Sequence, residues 1–212
     1  MRAAALSCLL SCTLTLAQAQ APNTHQHDFR DADKWAQVFD DPKRDEWQKP
    51  HEVMKALGLP QDATVADIGA GTGYFSVRLS HLVPNGRIYA VDVETEMVKH
   101  LAMRAARQGL ANVIAVRGSP DDPRLPGKVD LAILVDTYHH IGEREAYFTK
   151  LRAMLKPEGR VAVIDFKPEA PVGPPKATRL SAATVKAELD RAGFLMTEEF
   201  DFLPYQYFLI FR

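Results

Sequence analysis

The stretch VADIGAGTGYFS, residues 65–76, is an apolar, β-prone run that breaks into glycines at every second position and resumes with a helical pattern. A strand, a tight turn and a helix in that order restrict the chain more than any bulk property does. Glycine visits positive φ without a Cβ penalty and lets a ligand come close to the backbone. Gly69, Gly71 and Gly73 therefore predict a turn built for close approach. The rest of the chain extends the theme. Val- and Ile-rich runs at Thr64–Ile68, Arg87–Asp92, Asn112–Val116, Val129–Val135 and Arg160–Phe166 alternate with stretches of helical period. Phe75, Leu79 and Leu82 share one helical face, as do Met97, Leu101 and Ala105. Phe148, Leu151 and Leu155 form a third face, and Val185, Leu189 and Ala192 a fourth. Such alternation predicts βαβ units and a parallel sheet. Stop signals fall between the elements, at Pro84 with Gly86, Gly109, Pro157 with Gly159, and Gly193. The closing segment FLMTEEFDFLPYQYFLIFR holds two β-prone runs too close together for a parallel crossover, so they should pair antiparallel.

Three kinds of glycine turn compete for this position. A dinucleotide fingerprint needs its third glycine at 74, which is Tyr74. A phosphate-cradling loop needs a Gly-Lys-Ser/Thr that does not follow. The remaining reading is G-x-G-x-G preceded by an acid, Asp67, whose alternative role is to cap the helix that follows. Asp92 closes the second predicted strand, where a carboxylate takes ribose hydroxyls. It supports a nucleoside without identifying it. Glu94 nearby reads as a solvated first-turn residue.

Asp67-Ile68-Gly69-Ala70-Gly71-Thr72-Gly73 resembles the D/E-x-G-x-G-x-G turn of class I S-adenosylmethionine-dependent methyltransferases, and the resemblance runs through Leu57–Phe166 and takes in the closing antiparallel pair. It implies an α/β fold: a Rossmann-like, doubly wound, mostly parallel seven-stranded sheet with one antiparallel strand near the C-terminus. It also implies S-adenosylmethionine as cofactor, with Asp67 near the methionyl amino group and Asp92 on the ribose. The turn Gly69–Gly73, including Ala70, would lie against the ligand. Relatives often carry Gly-Asp-Ala after strand three. Here the residues are Gly118-Ser119-Pro120, so Ser119 replaces the acid and Pro120 has no N–H to give. The adenine site would then draw on Asp121 or its amide. LVDTYHHIG, residues 134–142, resembles motif IV of small-molecule methyltransferases and brings Asp136 to the same edge. Ligands of such sheets bind outside the carboxyl ends of the strands. Gly69–Gly73, Asp92, Ser119, Asp136 and Asp165 are all expected there.

The resemblance implies methyl transfer to a small-molecule acceptor by in-line displacement. His139 and His140 are the candidate general bases, because imidazole titrates near neutrality. A packing histidine at a strand–helix junction is the competing reading for each. Tyr138 could donate to an acceptor oxygen or pack in the core. No metal is expected, because adjacent histidines with Asp136 rarely aim at one ion. Quinone and arsenite methyltransferases look like broader relatives, and the second is disfavoured for want of thiols. Two rival classes stay open: a non-catalytic nucleoside-binding protein of this fold, and an NAD-dependent oxidoreductase.

Residues 1–19 read as a secretory signal peptide: Arg2, an apolar stretch from Ala3 to Leu16, then Ala17-Gln18-Ala19 before the cut. Export to a periplasm is the corresponding expectation. Both cysteines, Cys8 and Cys12, fall inside it, so the mature chain has no disulfide. About 190 residues remain, enough for one domain burying roughly 70% of its unfolded surface. A formal charge of −1 lacks the basic excess of a nucleic-acid binder. No later run is apolar enough to span a membrane. Residues 20–49 read as an arm and 50–212 as the methyltransferase domain. His25 and His27 belong to a solvated tail, and Trp35, Val38 and Phe39 to one face of a short helix. Trp47, with Phe39 and Arg44, is expected to cover the acceptor pocket. PEAPVGPP (168–175) is a second rim or a stiff connector.

Overall fold

The structure, a computed structural model, describes Phe29 and residues 31–212. The expected signal peptide with Cys8 and Cys12, and the tail with His25 and His27, lie outside the described residues.

Three short helices come first: α1 (Ala32–Phe39), α2 (Arg44–Gln48) and α3 (Pro50–Leu57). Then strands and helices alternate: β1 (Thr64–Ile68), α4 (Tyr74–Leu82), β2 (Arg87–Asp92), α5 (Thr95–Arg107), β3 (Val113–Arg117), β4 (Val129–Val135), α6 (Arg144–Ala153) and β5 (Leu155–Phe166). The chain closes with α7 (Ala182–Arg191), β6 (Met196–Phe200) and β7 (Gln206–Phe211). The seven strands lie in the order β3-β2-β1-β4-β5-β7-β6. All pairs from β3 to β5 are parallel. β7 runs antiparallel to both β5 and β6, and so is the reversed strand the closing segment predicts. The doubly wound α/β expectation holds.

Successive residues of a strand face opposite sides of a sheet. Along β4 and β5 they feed two cores in turn. Ala132, Leu134, Val161 and Val163 join Phe148, Leu151, Val185 and Leu189 beneath α6 and α7. Leu131, Ile133, Ala162 and Ile164 join Val53, Leu57, Phe75 and Leu79 beneath α3 and α4. Burial on both faces is why these strands read as continuous apolar runs rather than alternating ones.

Three local expectations are corrected. β3 starts one residue later than the pattern suggests. Leu155 does not share the face of Phe148 and Leu151: α6 ends at Ala153, and Leu155 opens β5 opposite Val129. Pro157, two residues on, forbids continued helix, while a lone leucine fits either period. Pro157 and Gly159 therefore do not separate two elements. They lie within β5, where the pairing jumps from Val129↔Leu155 to Leu131↔Arg160. In α1, capped by Asp31 through the Lys34 N–H, Trp35 and Phe39 stack at 5.2 Å as an i,i+4 pair. Val38 is 56% exposed and off that face.

Candidate active site

The glycine turn leaves β1 at the carboxyl edge and enters α4. Gly69, Gly71 and Gly73 have φ of 72°, 55° and 92°. They are not equivalent. A Cβ on Gly69 would collide with the Thr137 hydroxyl, and one on Gly73 would sit 2.8 Å from Leu101. Those two glycines let the turn pack against the loop after β4 and against α5. At Gly71 the nearest neighbour is the Phe39 ring at 3.4 Å, so its outer face is where backbone can be approached. The turn is pinned from β2: the amides of Gly69 and Ala70 both donate to the Val91 carbonyl at 2.9 Å. Asp92 braces it further, with Oδ2 accepting from the Gly71 N–H at 2.9 Å and Oδ1 from the Glu94 N–H at 2.8 Å. A carboxylate has about four lone-pair positions, so two hydroxyls can still be received.

Asp67 lies behind the turn and accepts from the Ser76 hydroxyl at 2.6 Å. Ser76 is in the first turn of α4, so the alternative helix-end role is realised through a side chain. Burial pushes the Asp67 carboxyl up to about 6, against the pull of Ser76. The Thr72 hydroxyl is buried and makes no hydrogen bond among the described residues. A polar atom so placed wants a partner. Together with the Gly71 backbone, whose nearest neighbour is the Phe39 ring, and the acid on β2, it fits a polar nucleoside–amino acid ligand.

The turn after β3 is closed on itself. Ser119 and Asp122 exchange backbone bonds, and the Ser119 hydroxyl donates to Asp121 at 2.8 Å. Asp121 is exposed and bound by Lys150 of α6 at 3.0 Å. Its carboxyl, lowered by Lys150 and Ser119, is committed to that surface pair.

Across the edge, Asp136 follows the last residue of β4 with φ of 54°. Its carboxylate accepts from Arg44 at 3.2 Å and from the Gln206 amide, and burial raises it to about 7. His139 is buried, with Nδ1 2.9 Å from Asp165 at the end of β5, and its backbone N–H donates to the same carboxylate at 3.2 Å. Burial disfavours the imidazolium, but the Asp165 hydrogen bond and charge, joined by Asp136, outweigh it and raise the His139 pKa. Its Nε2 makes no hydrogen bond among the described residues. His140 is half-buried, its ring 4.1 Å from that of His139 and edge-on to Phe29 at 5.8 Å. Tyr138 must be taken off the acceptor side. It is fully buried among Phe148 and its neighbours, and its hydroxyl donates to Glu188 of α7 at 2.7 Å. A 3₁₀ turn at Tyr138–His140 separates its direction from that of His139.

The arm spans both halves of the edge. Phe39 rests on Gly71, while Asp40 receives Arg104, which also donates to the Thr72 carbonyl. Asp45 binds the Tyr74 hydroxyl and Arg78. Arg44 lies 4.2 Å over the Tyr74 ring as it reaches Asp136, and Gln48 meets Gln206 at 2.7 Å. Trp47 lies against Phe166 and Tyr205 where β5 ends and β7 begins, with the Arg44 guanidinium 5.8 Å from its ring. The expected trio of Trp47, Phe39 and Arg44 is thus spread along the edge, Phe39 at Gly71, Arg44 at Asp136 and Trp47 at Phe166. The proline stretch is tethered, since Arg179 donates to the carbonyls of Pro168, Ala170 and Pro174. Sequence reasoning missed Asp40, Asp45, Gln48, Arg104 and Gln206, and gave Asp165 no partner. Each is an ordinary polar residue whose role exists only through a contact distant in the chain.

A doubly wound sheet with a glycine turn, a β2 acid and a polar corner at one carboxyl edge defines a nucleoside-cofactor enzyme site. Residues 65–159 match a methyltransferase-domain family. The fold superimposes on a SAM-dependent methyltransferase from Aquifex aeolicus with a TM-score of 0.80, at 29% identity, covering 88% of this chain and 98% of that one. Among curated relatives, a malonyl-[acyl-carrier protein] O-methyltransferase from Hahella chejuensis is 28% identical over 104 residues, 49% of this chain and 36% of that enzyme. A ubiquinone/menaquinone biosynthesis C-methyltransferase from Marinomonas is 28% identical over 126 residues, 58% of this chain and 50% of that enzyme. The matches span half or less of either curated relative. The family match over residues 65–159 and the likeness to a solved SAM-dependent methyltransferase together support a class I S-adenosylmethionine-dependent methyltransferase.

Proposed function

We propose that the chain transfers a methyl group from S-adenosylmethionine to a small-molecule acceptor, with His139 as the general base. The observation that carries this reading is the pairing, at one sheet edge, of the Asp92-braced turn at Gly71 with a histidine held by a buried carboxylate. The cofactor supplies an electrophilic methyl on a sulfonium. Around it, Asp67 and the Thr72 hydroxyl suit the methionyl end, and Asp92 the ribose. Ser119-Pro120 and the committed Asp121 leave adenine to apolar walls and backbone. Holding donor and acceptor in line supplies about 7–11 kcal/mol in favourable systems. Asp165 fixes the His139 ring, so that Nε2 is the nitrogen left to take the acceptor's proton as the new bond to carbon forms. Base assistance of this kind is worth about 10²–10⁴-fold. His140, packed on Phe29, serves as a wall.

Calorimetric titration of the chain from Gln20 onward with S-adenosylmethionine and S-adenosylhomocysteine tests the cofactor reading. Micromolar binding of both supports it; a folded chain that binds neither overturns it, and NAD binding would favour the oxidoreductase class. With an acceptor in hand, deletion of 28–49 should abolish turnover more than cofactor affinity. Export by residues 1–19 belongs to the same reading and is tested by the N-terminus of the protein recovered from the cell envelope, expected at Gln20.

A further inference from the structure

The arm meets the glycine turn at two successive residues, and the second meeting passes through the body of the fold. Phe39 lies against Gly71, and Asp40, the next residue, is received by Arg104 of α5. One guanidinium nitrogen of Arg104 donates to both oxygens of the Asp40 carboxylate at 2.9 Å and to the Thr72 carbonyl at 2.8 Å. The pair is largely shielded from water, with 18% of the Arg104 side chain and 26% of the Asp40 side chain exposed. One helical turn earlier on the same face of α5 stands His100, its Nδ1 3.7 Å from Asp33 in the first turn of α1. So α1 meets α5 at both of its ends. Four amides of the turn are held without the arm: Gly69 and Ala70 by Val91, Gly71 by Asp92, and Gly73 by the Ala70 carbonyl. Thr72 is different. It stands between two glycines at positive φ, where the backbone is freest to move, and its carbonyl is held by Arg104.

Resting on the reading of this turn as the cofactor's seat, we propose that Arg104 is a positioning residue that couples docking of the arm to binding of S-adenosylmethionine. The cofactor meets the turn through backbone, so its affinity depends on how nearly the free turn already holds the bound shape. Arg104 fixes the peptide that carries the Thr72 carbonyl. With it the residue is fixed whose buried hydroxyl makes no hydrogen bond among the described residues. Asp40 in turn fixes Arg104, because charge-assisted bonds to a carboxylate are stronger anchors than a bond to a neutral carbonyl. The same bond sets where the preceding residue, Phe39, comes to lie over Gly71. Such a linkage is reciprocal: a docked arm favours the cofactor, and the bound cofactor favours a docked arm by the same factor. The arm, expected as a cover for the acceptor, thereby takes a part in retaining the donor.

The test is calorimetric titration of the full chain with S-adenosylhomocysteine, which needs no acceptor, joined to timed trypsin digestion followed at Lys43, an exposed residue of the arm. Arg104→Met should weaken binding by about 3–10-fold. Asp40→Ala should weaken it by a smaller factor, and the double variant no further than Arg104→Met alone. Arg104→Lys, which keeps a cation able to reach the carbonyl, should recover part of the loss. S-adenosylhomocysteine should slow cleavage at Lys43 in the wild type and slow it much less in Arg104→Met, a contrast that a merely structural role does not produce. An Arg104→Met affinity equal to or tighter than wild type overturns the proposal, as do two single losses that multiply in the double variant. Should Arg104→Met fail to fold, Asp40→Ala decides, and an unmoved affinity is the overturning result. A wild-type chain that binds no S-adenosylhomocysteine overturns this proposal and the cofactor reading together. A binding wild type with an indifferent Arg104→Met overturns this proposal alone.

Discussion

The two halves of the carboxyl edge are built by different means. The cofactor half is mostly backbone: glycines at positive φ, two amides on the Val91 carbonyl and one on Asp92. The acceptor half is mostly side chains, and they arrive from four places: Asp136 from β4, Asp165 from β5, Gln206 from β7 and Arg44 from the arm. Backbone sites depend on residues that permit a conformation, so they tolerate little substitution and are local in sequence. Side-chain sites depend on groups that meet across the fold. They can be re-tuned one at a time.

That contrast can be broken most forcefully within the turn itself. Gly69→Val adds a β-branched residue at positive φ and a clash with Thr137. A loss of stability of about 3–5 kcal/mol is expected in urea unfolding. Gly71→Ala has only Phe39 to meet and should cost about 1–2 kcal/mol of fold while abolishing cofactor binding by calorimetry. Equal destabilisation by the two would show that the turn is purely structural.

Titration gives the next largest effect. Burial raises the Asp67 carboxyl from 3.8 to about 6, so the native state holds its proton more tightly than the unfolded chain does. Below pH 4 both states are protonated and nothing is lost. As pH rises from about 4 to about 6, the unfolded chain ionises first, and stability falls by about 3 kcal/mol. Asp67→Asn should remove that slope, read as urea unfolding free energies at pH 4 and 7. A cationic methionyl ammonium beside Asp67 favours its ionised form, so cofactor affinity should grow over the same interval. Affinity flat through pH 6 would place the ammonium elsewhere.

Two smaller effects remain, one in the cofactor half and one in the core behind the acceptor half. Asp92→Asn offers an amide group where the Gly71 N–H and the ribose want acceptors, and should weaken cofactor binding by about 1–3 kcal/mol. Tyr138→Phe breaks the bond to Glu188 and should cost about 1 kcal/mol of stability with turnover unchanged. A turnover loss there, at constant stability, would return Tyr138 to the reaction.

The same division decides what could be read before the structure was known. The sheet was legible because its central strands are apolar on both faces and its helices carry period. The glycine turn and Asp92 were legible because their spacing is local. Leu155 was misplaced because one leucine satisfies a helix and a strand equally, and Tyr138 stayed open between core and acceptor because the period of a 3₁₀ turn cannot be told from neighbouring letters. The bonds of Arg104 to Asp40, of Gln48 to Gln206 and of His139 to Asp165 leave no pattern in the chain, since each joins residues far apart in it. An acid at a strand end was visible at Asp165, but its histidine was not.

The chain has two tryptophans, and both, Trp35 and Trp47, are on the arm. Excited at the red edge of its absorption, the protein is dark everywhere except at the cover of its own active edge. One ring is stacked on Phe39 above the glycine turn, and the other rests against Phe166 and Tyr205 beside the acceptor half. The molecule thus carries two native optical probes, one over each half. Replacing either by phenylalanine leaves a single-colour reporter, able to time the opening of one end against the other in a stopped-flow mixer without any dye.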